Sequence, residues 1–205
     1  SEILHLLRHA DGYVSGQQLC ETFGVSRTAV WKVINQLKEE GYVIDSVQNK
    51  GYRITEYPDI ITASEIESLL LDDSGNMQGI CRHIQYFDKT DSTNNQAKLA
   101  AEKNAPEGTL FVAECQTGGR GRRGKTWESP AGSGIWMSLL LRPDISPESA
   151  SMLTLVLAVA MVDAINEEVQ DAKCYVKWPN DIVLNNRKIS GTLTEMSAEM
   201  DSIHY

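Results

Sequence analysis

The densest concentration of chemically useful residues lies in one loop between two apolar segments. Residues 115–127 read CQTGGRGRRGKTW and contain four glycines and four cations. Glycine lets backbone N–H groups approach a phosphate closely, and Arg and Lys supply the opposite charge. The formal net charge of the chain is −9, so this basic loop is a local exception. The loop is therefore predicted to close over a polyanion.

The same loop contains a formal match to the phosphate-binding P-loop, because Gly119 to Thr126 reads G-x-x-x-x-G-K-T. A P-loop needs a helix directly after this sequence, since the helix N-terminus holds the phosphates. Pro130, Gly132 and Gly134 follow instead, and these residues oppose a helix. The sequence therefore predicts a long, mobile connection between two strands that orders over its ligand.

Composition limits the class of protein. Apolar residues make up 41% of the chain and charged residues 23%, which is ordinary for a soluble globular protein. No uninterrupted apolar run approaches the roughly 18 residues needed to cross a bilayer, so we expect a cytoplasmic protein without a membrane partner. The four cysteines are scattered, which favours free thiols over disulfides or zinc. The acidic balance argues against a general nucleic-acid binder but does not exclude a small, locally basic DNA-reading module.

The first 57 residues predict a winged helix-turn-helix. Ser15 and Ser26 are capping residues that open predicted helices over 16–23 and 27–40, and a β-hairpin over 42–54 follows. The residues predicted to contact DNA are Ser26, Arg27, Thr28 and Lys32 on the third helix and Lys50 on the wing. The charge of this domain is slightly negative, and a small helical domain that binds protein is the alternative.

The rest of the chain predicts a linker with a short helix over 58–79 and a second domain over 80–205. Strands alternate there with two helices, which is typical of an α+β sheet domain. The long apolar helix over 147–169 is expected to form core, and residues 191–196 are expected to form the last strand.

Four motifs in the second domain resemble those of biotin–protein ligases. They are the glycine-arginine loop at 119–124, Asp-Ser-Thr-Asn at 91–94, Lys-Trp-Pro-Asn-Asp at 177–181 and the Lys-x-x-Gly segment at 187–191. With a winged helix in front, the order is similar to that of the bifunctional biotin ligase and biotin-operon repressor family, and the resemblance covers essentially the whole chain. It implies a mixed-sheet catalytic domain of the biotin/lipoate ligase, class II synthetase-like, type. Such ligases continue past Tyr205, so the catalytic domain is expected to be incomplete at this end.

The resemblance implies a two-step reaction. Biotin and MgATP give biotinyl-5′-adenylate, which then acylates a lysine of biotin carboxyl carrier protein. A carboxylate that attacks a phosphate suffers anion–anion repulsion, so clustered cations are the needed catalyst. The implied catalytic residues are Lys188, Arg120 and Arg122. The implied biotin-binding residues are Ser92, Thr93, Asn94, Gln116, Arg120, Gly121, Arg122, Lys188 and Gly191. The implied nucleotide-binding residues are Trp127, Asn180 and Arg122, with Asp181 as a helper for Mg²⁺.

Several alternatives stay open at this point. Residues 92–94 could simply cap the helix that follows them, and Lys188 could be a solvated surface charge. The resemblance also implies a switch in which bound adenylate favours a homodimer that binds operator DNA. The competing functions are a catalytically inactive, biotin-sensing DNA-binding regulator and a related acyl-protein ligase of the lipoate type.

Overall fold

The computed structural model describes residues 2–72, 75–169, 173–199 and 202–205, and the chain divides into two compact units, Ser1–Tyr86 and Phe87–Tyr205. The helices are α1 Glu2–His9, α2 Gly16–Phe23, α3 Arg27–Glu39, α4 Ala63–Leu70, α5 Thr93–Glu102 and α6 Ser151–Glu168. The strands are β1 Val43–Val47, β2 Gly51–Glu56, β3 His83–Phe87, β4 Thr109–Ala113, β5 Trp136–Leu139, β6 Tyr175–Lys177, β7 Asp181–Leu184 and β8 Arg187–Gly191.

Side-chain caps fix the helix starts in the first unit. The Ser15 hydroxyl accepts the backbone N–H of Gln18 at 3.0 Å, and the Ser26 hydroxyl accepts that of Ala29 at 3.2 Å. The predicted starts of α2 and α3 are therefore confirmed. The three helices pack around a core that includes Leu4, Leu19, Val30 and Ile34. β1 pairs antiparallel with β2, and the hairpin follows α3 as a winged helix-turn-helix requires.

A fourth helix, α4, packs against α1 within the same unit. The Glu65 carboxylate accepts hydrogen bonds from the Arg8 guanidinium and from the Tyr42 hydroxyl. Burial, followed by the neighbouring Glu65, raises the pKa of Tyr42 above its ordinary value. The His5 ring bonds the Ser68 carbonyl at 2.8 Å. The short helix expected in the linker thus forms, and partly buried polar contacts join it to the helical domain.

In the second unit, α5 covers the β4–β5 pair. Ala97 and Ala101 of the helix meet Phe111 and Leu140 in one buried cluster. β4 and β5 are antiparallel, whereas a parallel bridge joins Thr90 to Gln116 just beyond β3 and β4, so both orientations occur. β6, β7 and β8 form a separate antiparallel sheet in that order.

The position of the last strand corrects the prediction for residues 191–196. β8 ends at Gly191, and residues 192–197 have no regular secondary structure. Asn185 and Asn186 both have positive φ, 48° and 61°, which is the conformation of a two-residue type I′ hairpin turn. The chain therefore turns at this Asn-Asn pair. Lys188 consequently lies on a strand.

The expectation that the long apolar helix forms core is wrong for the described structure. Ala158 is the buried residue of α6, whereas Met152 and Val156 are exposed. The helix has no distinct apolar stripe, and it contacts β6 and β7. Among the described residues, the stretch Pro147–Glu168 alone is long and apolar enough to cross a membrane, judged by length and composition only.

Candidate functional site

The start of α5 is capped from another segment. The Gln116 side-chain oxygen accepts the Thr93 backbone N–H at 2.8 Å and the Thr93 hydroxyl at 3.1 Å. Ser92 occupies the N-cap position with a buried side chain, but it makes no side-chain cap bond in the described structure. The alternative that Ser92 simply caps the helix through its hydroxyl is therefore wrong, and Gln116 performs that role.

Asn94, in the first turn of α5, is held at both ends of its amide. Its Nδ2 donates to Glu195 Oε2 at 2.9 Å, and its Oδ1 accepts from the Ser138 hydroxyl on β5. Ser138 also bonds the Thr93 hydroxyl at 2.8 Å. Each amide has two N–H donors and two lone pairs, so Asn94 still has one donor and one acceptor site to offer a ligand.

The glycine-arginine loop folds back on itself. The Trp127 N–H donates to the Gly119 carbonyl at 2.8 Å, and the Gly121 N–H donates to the Lys125 carbonyl at 2.7 Å. A Cβ on Gly119 would lie 2.2 Å from the Trp127 carbonyl oxygen. Gly119 is thus needed for the packing of the loop itself.

The P-loop interpretation is excluded, as expected. Residues 127–135, all of which the structure describes, contain no helix, and β5 follows them. Without a helix N-terminus after Thr126, the phosphate cradle of a P-loop cannot form.

Contacts join the loop to the two downstream motifs. Arg122 Nη1 donates to Asn180 Oδ1 at 2.9 Å, and the buried Asn180 in turn donates to the Thr192 carbonyl at 3.0 Å. The Lys188 ammonium lies 2.6 Å from Asp181 Oδ1 and 4.7 Å from the centroid of the Trp127 ring. The loop is therefore in direct contact with two motifs that follow it at a distance of more than 50 residues in sequence.

Gly191 makes room for this lysine. A Cβ at Gly191 would lie 2.9 Å from both Cε and Nζ of Lys188 and 3.5 Å from Asp181 Oδ1. The Lys-x-x-Gly spacing therefore has a steric reason, because any larger residue would push the ammonium away from its present position.

Arg120 points back toward α5. Its Nη1 donates to Asn95 Oδ1 at 3.0 Å, and its Nη2 lies 3.4 Å from Glu195 Oε1. The same Glu195 oxygen accepts from Lys98 Nζ at 2.8 Å. Burial alone would raise the pKa of the Glu195 carboxyl, but the hydrogen bonds from Lys98 and Asn94 outweigh it and lower the pKa.

A cavity of about 400 Å³ lies beneath the loop. Its lining comprises residues 118–121 and 123–126 of the loop together with Leu193 and Glu195. Arg120, Arg123 and Lys125 thus line a space large enough for part of a small ligand, whereas Arg122 does not, and the wall also includes Glu195.

Three residues of this site were missed in the sequence: Asn95, Lys98 and Glu195. Asn94 and Lys98 are four residues apart, so helical spacing could have placed Lys98 beside the motif. Glu195 carried no comparable signal, because its segment was read as a strand and its contacts span about a hundred residues.

The donors present do not build a magnesium site. The Asp181 carboxylate is paired with Lys188, and the described residues contain no group of three or more His, Cys, Asp or Glu side chains that could hold a metal. Mg²⁺ prefers several oxygen ligands in octahedral geometry. All four cysteines are free, as expected.

The residues predicted to read DNA lie on the exposed side of the first unit. The Ser26 hydroxyl caps α3 by accepting the Ala29 N–H, and Arg27 donates a hydrogen bond to Gln17 at 3.0 Å. Thr28 and Lys32 are exposed. The Lys50 ammonium lies 5.9 Å from the Tyr13 ring centroid.

Trp31, which the sequence reading missed, stands on the same face of α3 with 57% of its surface exposed. It lies four residues after Arg27 and three after Thr28, so helical spacing could have grouped it with them. A large exposed aromatic beside cations is a suitable contact for a nucleic acid.

Comparison with known proteins agrees with this architecture. Residues 86–204 match the biotin/lipoate A/B protein ligase family, and residues 1–53 match a family of HTH domains. The chain is 46% identical over 191 residues to the bifunctional ligase/repressor BirA of Bacillus subtilis, covering 93% of this chain and 57% of that protein. Against BirA of Escherichia coli the identity is 34%, covering 97% of this chain and 58% of that protein.

Among solved structures, a biotin protein ligase from Aquifex aeolicus in complex with biotin and ATP matches with 34% identity and a TM-score of 0.49, covering 59% of this chain and 49% of that one. The chain thus spans somewhat more than half the length of the BirA relatives it matches. From the family match over residues 86–204 and the identity to BirA, the chain belongs to the biotin/lipoate A/B protein ligase family.

Proposed function

We propose that the native protein activates biotin with ATP and transfers it to a lysine of biotin carboxyl carrier protein. The observation that carries this proposal is the meeting of the glycine-arginine loop with Asn180 and with Lys188, which brings cations from separate segments into one region. Two anionic substrates must react with each other there, and convergent cations offset their repulsion.

In the first step, a biotin carboxylate oxygen forms a bond to the α-phosphorus of ATP, and the bond to the β-phosphate oxygen breaks to release pyrophosphate. Lys188 neutralises the carboxylate and the α-phosphate, while Arg120 and Arg122 clamp them from the loop. In the second step, the carrier lysine attacks the acyl carbon, and AMP leaves with the electron pair of the broken C–O bond. The acceptor amine loses a proton as the amide forms.

The ureido ring of biotin has two N–H donors and one carbonyl acceptor, so neutral polar partners suit it. We assign this role to Ser92, Thr93 and Asn94. Gln116 contributes mainly by holding Thr93, because its side chain already bonds Thr93 and Ser129. The loop backbone at Gly121 and the space at Gly191 complete the proposed set.

For the nucleotide, we assign stacking on adenine to Trp127 and a position beside the ribose or phosphates to Asn180. Any Mg²⁺ would have to be held mainly by the ATP phosphates and water. Asp181 can assist only when Lys188 leaves it for the substrate, because that carboxylate now carries the ammonium at 2.6 Å.

Biotin-dependent exchange of [³²P]pyrophosphate into ATP tests the first step, and biotin transfer to a carrier domain tests the second. We expect both with the native protein. Biotin binding without exchange would favour the inactive sensor, and exchange that requires lipoate instead of biotin would favour the lipoate-type ligase.

We further propose that residues 1–57 form a domain that binds operator DNA, joined by the linker at 58–79 to the catalytic domain, and that adenylate favours a homodimer in the cytoplasm, where ATP and DNA are both present. The names of the relatives, bifunctional ligase/repressor, support this reading. The exposed face of α3 with Arg27, Trp31 and Lys32 supplies the surface.

A gel-shift assay with a biotin-operon sequence, with and without biotinyl-adenylate, tests the DNA-binding proposal. We expect a Trp31→Ala variant to bind about tenfold more weakly, since disturbing one base pair's contacts in a specific protein–DNA interface typically costs roughly 1–3 kcal/mol. The exposed Gln36→Ala variant, on the same helix, serves as control. Absence of binding by the native protein in either state would favour a protein-binding role for this domain.

A further inference from the structure

Glu195 lies outside the four motifs, yet it contacts more of the proposed biotin site than any other acidic residue in the described ranges. Its carboxylate bonds Asn94 through one oxygen and Lys98 and Arg120 through the other. The side chain is only 19% exposed. A carboxylate so enclosed needs these partners, because a buried charge without them is costly.

The contact with Asn94 decides the orientation of that amide. Because a carboxylate only accepts hydrogen bonds, Asn94 must present Nδ2 to Glu195, which turns Oδ1 toward Ser138. A ligand ring has its hydrogen-bond donors and acceptor in fixed places, so it would lose hydrogen bonds if the Asn94 amide were reversed. Glu195 therefore fixes which side of the amide donates and which accepts.

The contact with Arg120 is weaker than the other two. Lys98 and Asn94 lie at 2.8 and 2.9 Å from the carboxylate, whereas Arg120 lies at 3.4 Å and its side chain is 47% exposed. Arg120 is thus the partner that can leave while Glu195 stays in place. Both residues line the cavity of about 400 Å³ under the loop, so an anion entering it meets this pair.

We propose that Glu195 is a positioning residue of the biotin site, which orients Asn94 and pairs with Arg120 until a ligand carboxylate or phosphate takes over the guanidinium. This inference rests on the proposed function. In the ligand-free site, Glu195 pairs with Arg120 and thereby holds the loop. The substrate later binds the same Arg120 guanidinium.

The test compares two ligands on the native protein and three variants. Biotin carries a carboxylate, and biotin amide has the same ring without the charge. Glu195→Gln removes the charge but keeps an acceptor, and Glu195→Ala removes both. Glu199→Gln makes the same charge change at a largely exposed carboxylate whose ion-pair partner is His204, outside the site.

In Glu195→Gln, we expect the preference for biotin over biotin amide, as the ratio of their Kd values, to rise about two- to fivefold, because the internal competitor for Arg120 is gone. In Glu195→Ala, both ligands should bind more weakly, since Asn94 loses its anchor. Amide hydrogen exchange of residues 118–127 without ligand should be faster in both Glu195 variants than in the native protein or Glu199→Gln.

If Glu195→Gln matches Glu199→Gln in both the ligand preference and the loop exchange, the proposal is overturned. If the native protein binds neither ligand, the proposed function fails instead. The exchange measurement is made without ligand, so it still decides whether Glu195 holds the loop in that case.

Discussion

Lys188 and Gly191 lie on the same strand, and the space left by the glycine determines where the lysine ammonium can be. The ammonium contacts Asp181 on the neighbouring strand and the Trp127 ring of the loop. An added methyl group at Gly191 would lie only 2.9 Å from Lys188 Cε and Nζ, so the lysine side chain would have to move. The steric argument gives the first prediction.

Gly191→Ala should slow biotin-dependent pyrophosphate exchange by about 10- to 100-fold, since a displaced cation no longer meets the charge that develops in the reaction. Folding should be retained, because Gly191 does not need a positive φ and is exposed. Gly12→Ala is the matched control, as a Cβ there would meet nothing within 4 Å. Full exchange activity in a folded Gly191→Ala variant would show that the reaction does not need Lys188 at this position.

Arg122 and Arg123 are neighbours of equal charge with different contacts. Arg122 bonds Asn180, whereas the exposed Arg123 makes no side-chain hydrogen bond or ion pair within the described residues. Arg122→Ala should speed dissociation of biotinyl-adenylate by about tenfold or more, because a charged hydrogen bond contributes roughly 1.5–3 kcal/mol. Stopped-flow release measures this rate. Equal rates in Arg122→Ala and Arg123→Ala would mean that loop charge alone matters.

At the scale of elements, the first turn of α5 positions Thr93 and Asn94. Asp91, which precedes this helix, stabilises that turn through its carboxylate. The Asp91 carboxylate accepts from Asn95 Nδ2 at 2.6 Å and from Gln96 Nε2 at 3.0 Å. The Asn95 hydrogen bond, followed by smaller contributions from Ser92, Gln96 and Thr90 that outweigh desolvation, lowers the pKa of Asp91 to about 2. Ionised Asp91 therefore favours the folded state.

The sign of the resulting pH dependence follows from the lowered pKa. The stabilisation by Asp91 is fully present above its ordinary pKa of 3.8 and is lost as the pH falls toward about 2. Asp91→Asn should therefore lower the urea midpoint of unfolding at pH 6, modestly because the group is exposed. The difference in midpoint between the native protein and this variant should disappear between pH 4 and 2. Asp88→Asn removes the same charge at an exposed residue. A difference in urea midpoint between the native protein and Asp91→Asn that does not change over this pH range would contradict the lowered pKa of Asp91.

Local signals predicted most elements of the first unit, because caps and helical periodicity act over a few residues. Ser15 and Ser26 marked α2 and α3 correctly. β8 was misplaced because its start depends on two asparagines in the left-handed region, a choice that hydrophobic alternation does not reveal. The mostly apolar α6 gave no stripe from which its buried side could be predicted.

The residues of the candidate site that lie within continuous sequence motifs could be predicted. Lys188 and the loop arginines stood out as charges within recognisable segments, and the structure brings Arg122 to Asn180 and Lys188 to the Trp127 ring. Glu195 did not, because its partners on α5 come from about a hundred residues earlier in the chain. Pairings of this kind are set by tertiary packing, which a single sequence does not encode as a local pattern.

At the scale of the whole molecule, the proposed repressor needs two copies of the reading helix, because a palindromic operator matches a two-fold symmetric dimer. A ligand shifts a monomer–dimer equilibrium only by its differential affinity for the two states. In the proposed site, the acyl-adenylate fills both the biotin part and the nucleotide part as one molecule, so it should have a larger effect than biotin or ATP alone.

Sedimentation equilibrium of the native protein should therefore show dimerisation strengthened about 5- to 150-fold by biotin with ATP, the usual range of allosteric coupling, and little by either substrate alone. Lys188→Met separates ligand synthesis from ligand response. Given both substrates it should remain largely monomeric, because it cannot form adenylate at a useful rate, whereas preformed biotinyl-adenylate should restore part of the dimerisation. If preformed adenylate leaves the mass of the native protein unchanged, the ligand does not act through a dimer, and control of DNA binding would have to occur within a single chain.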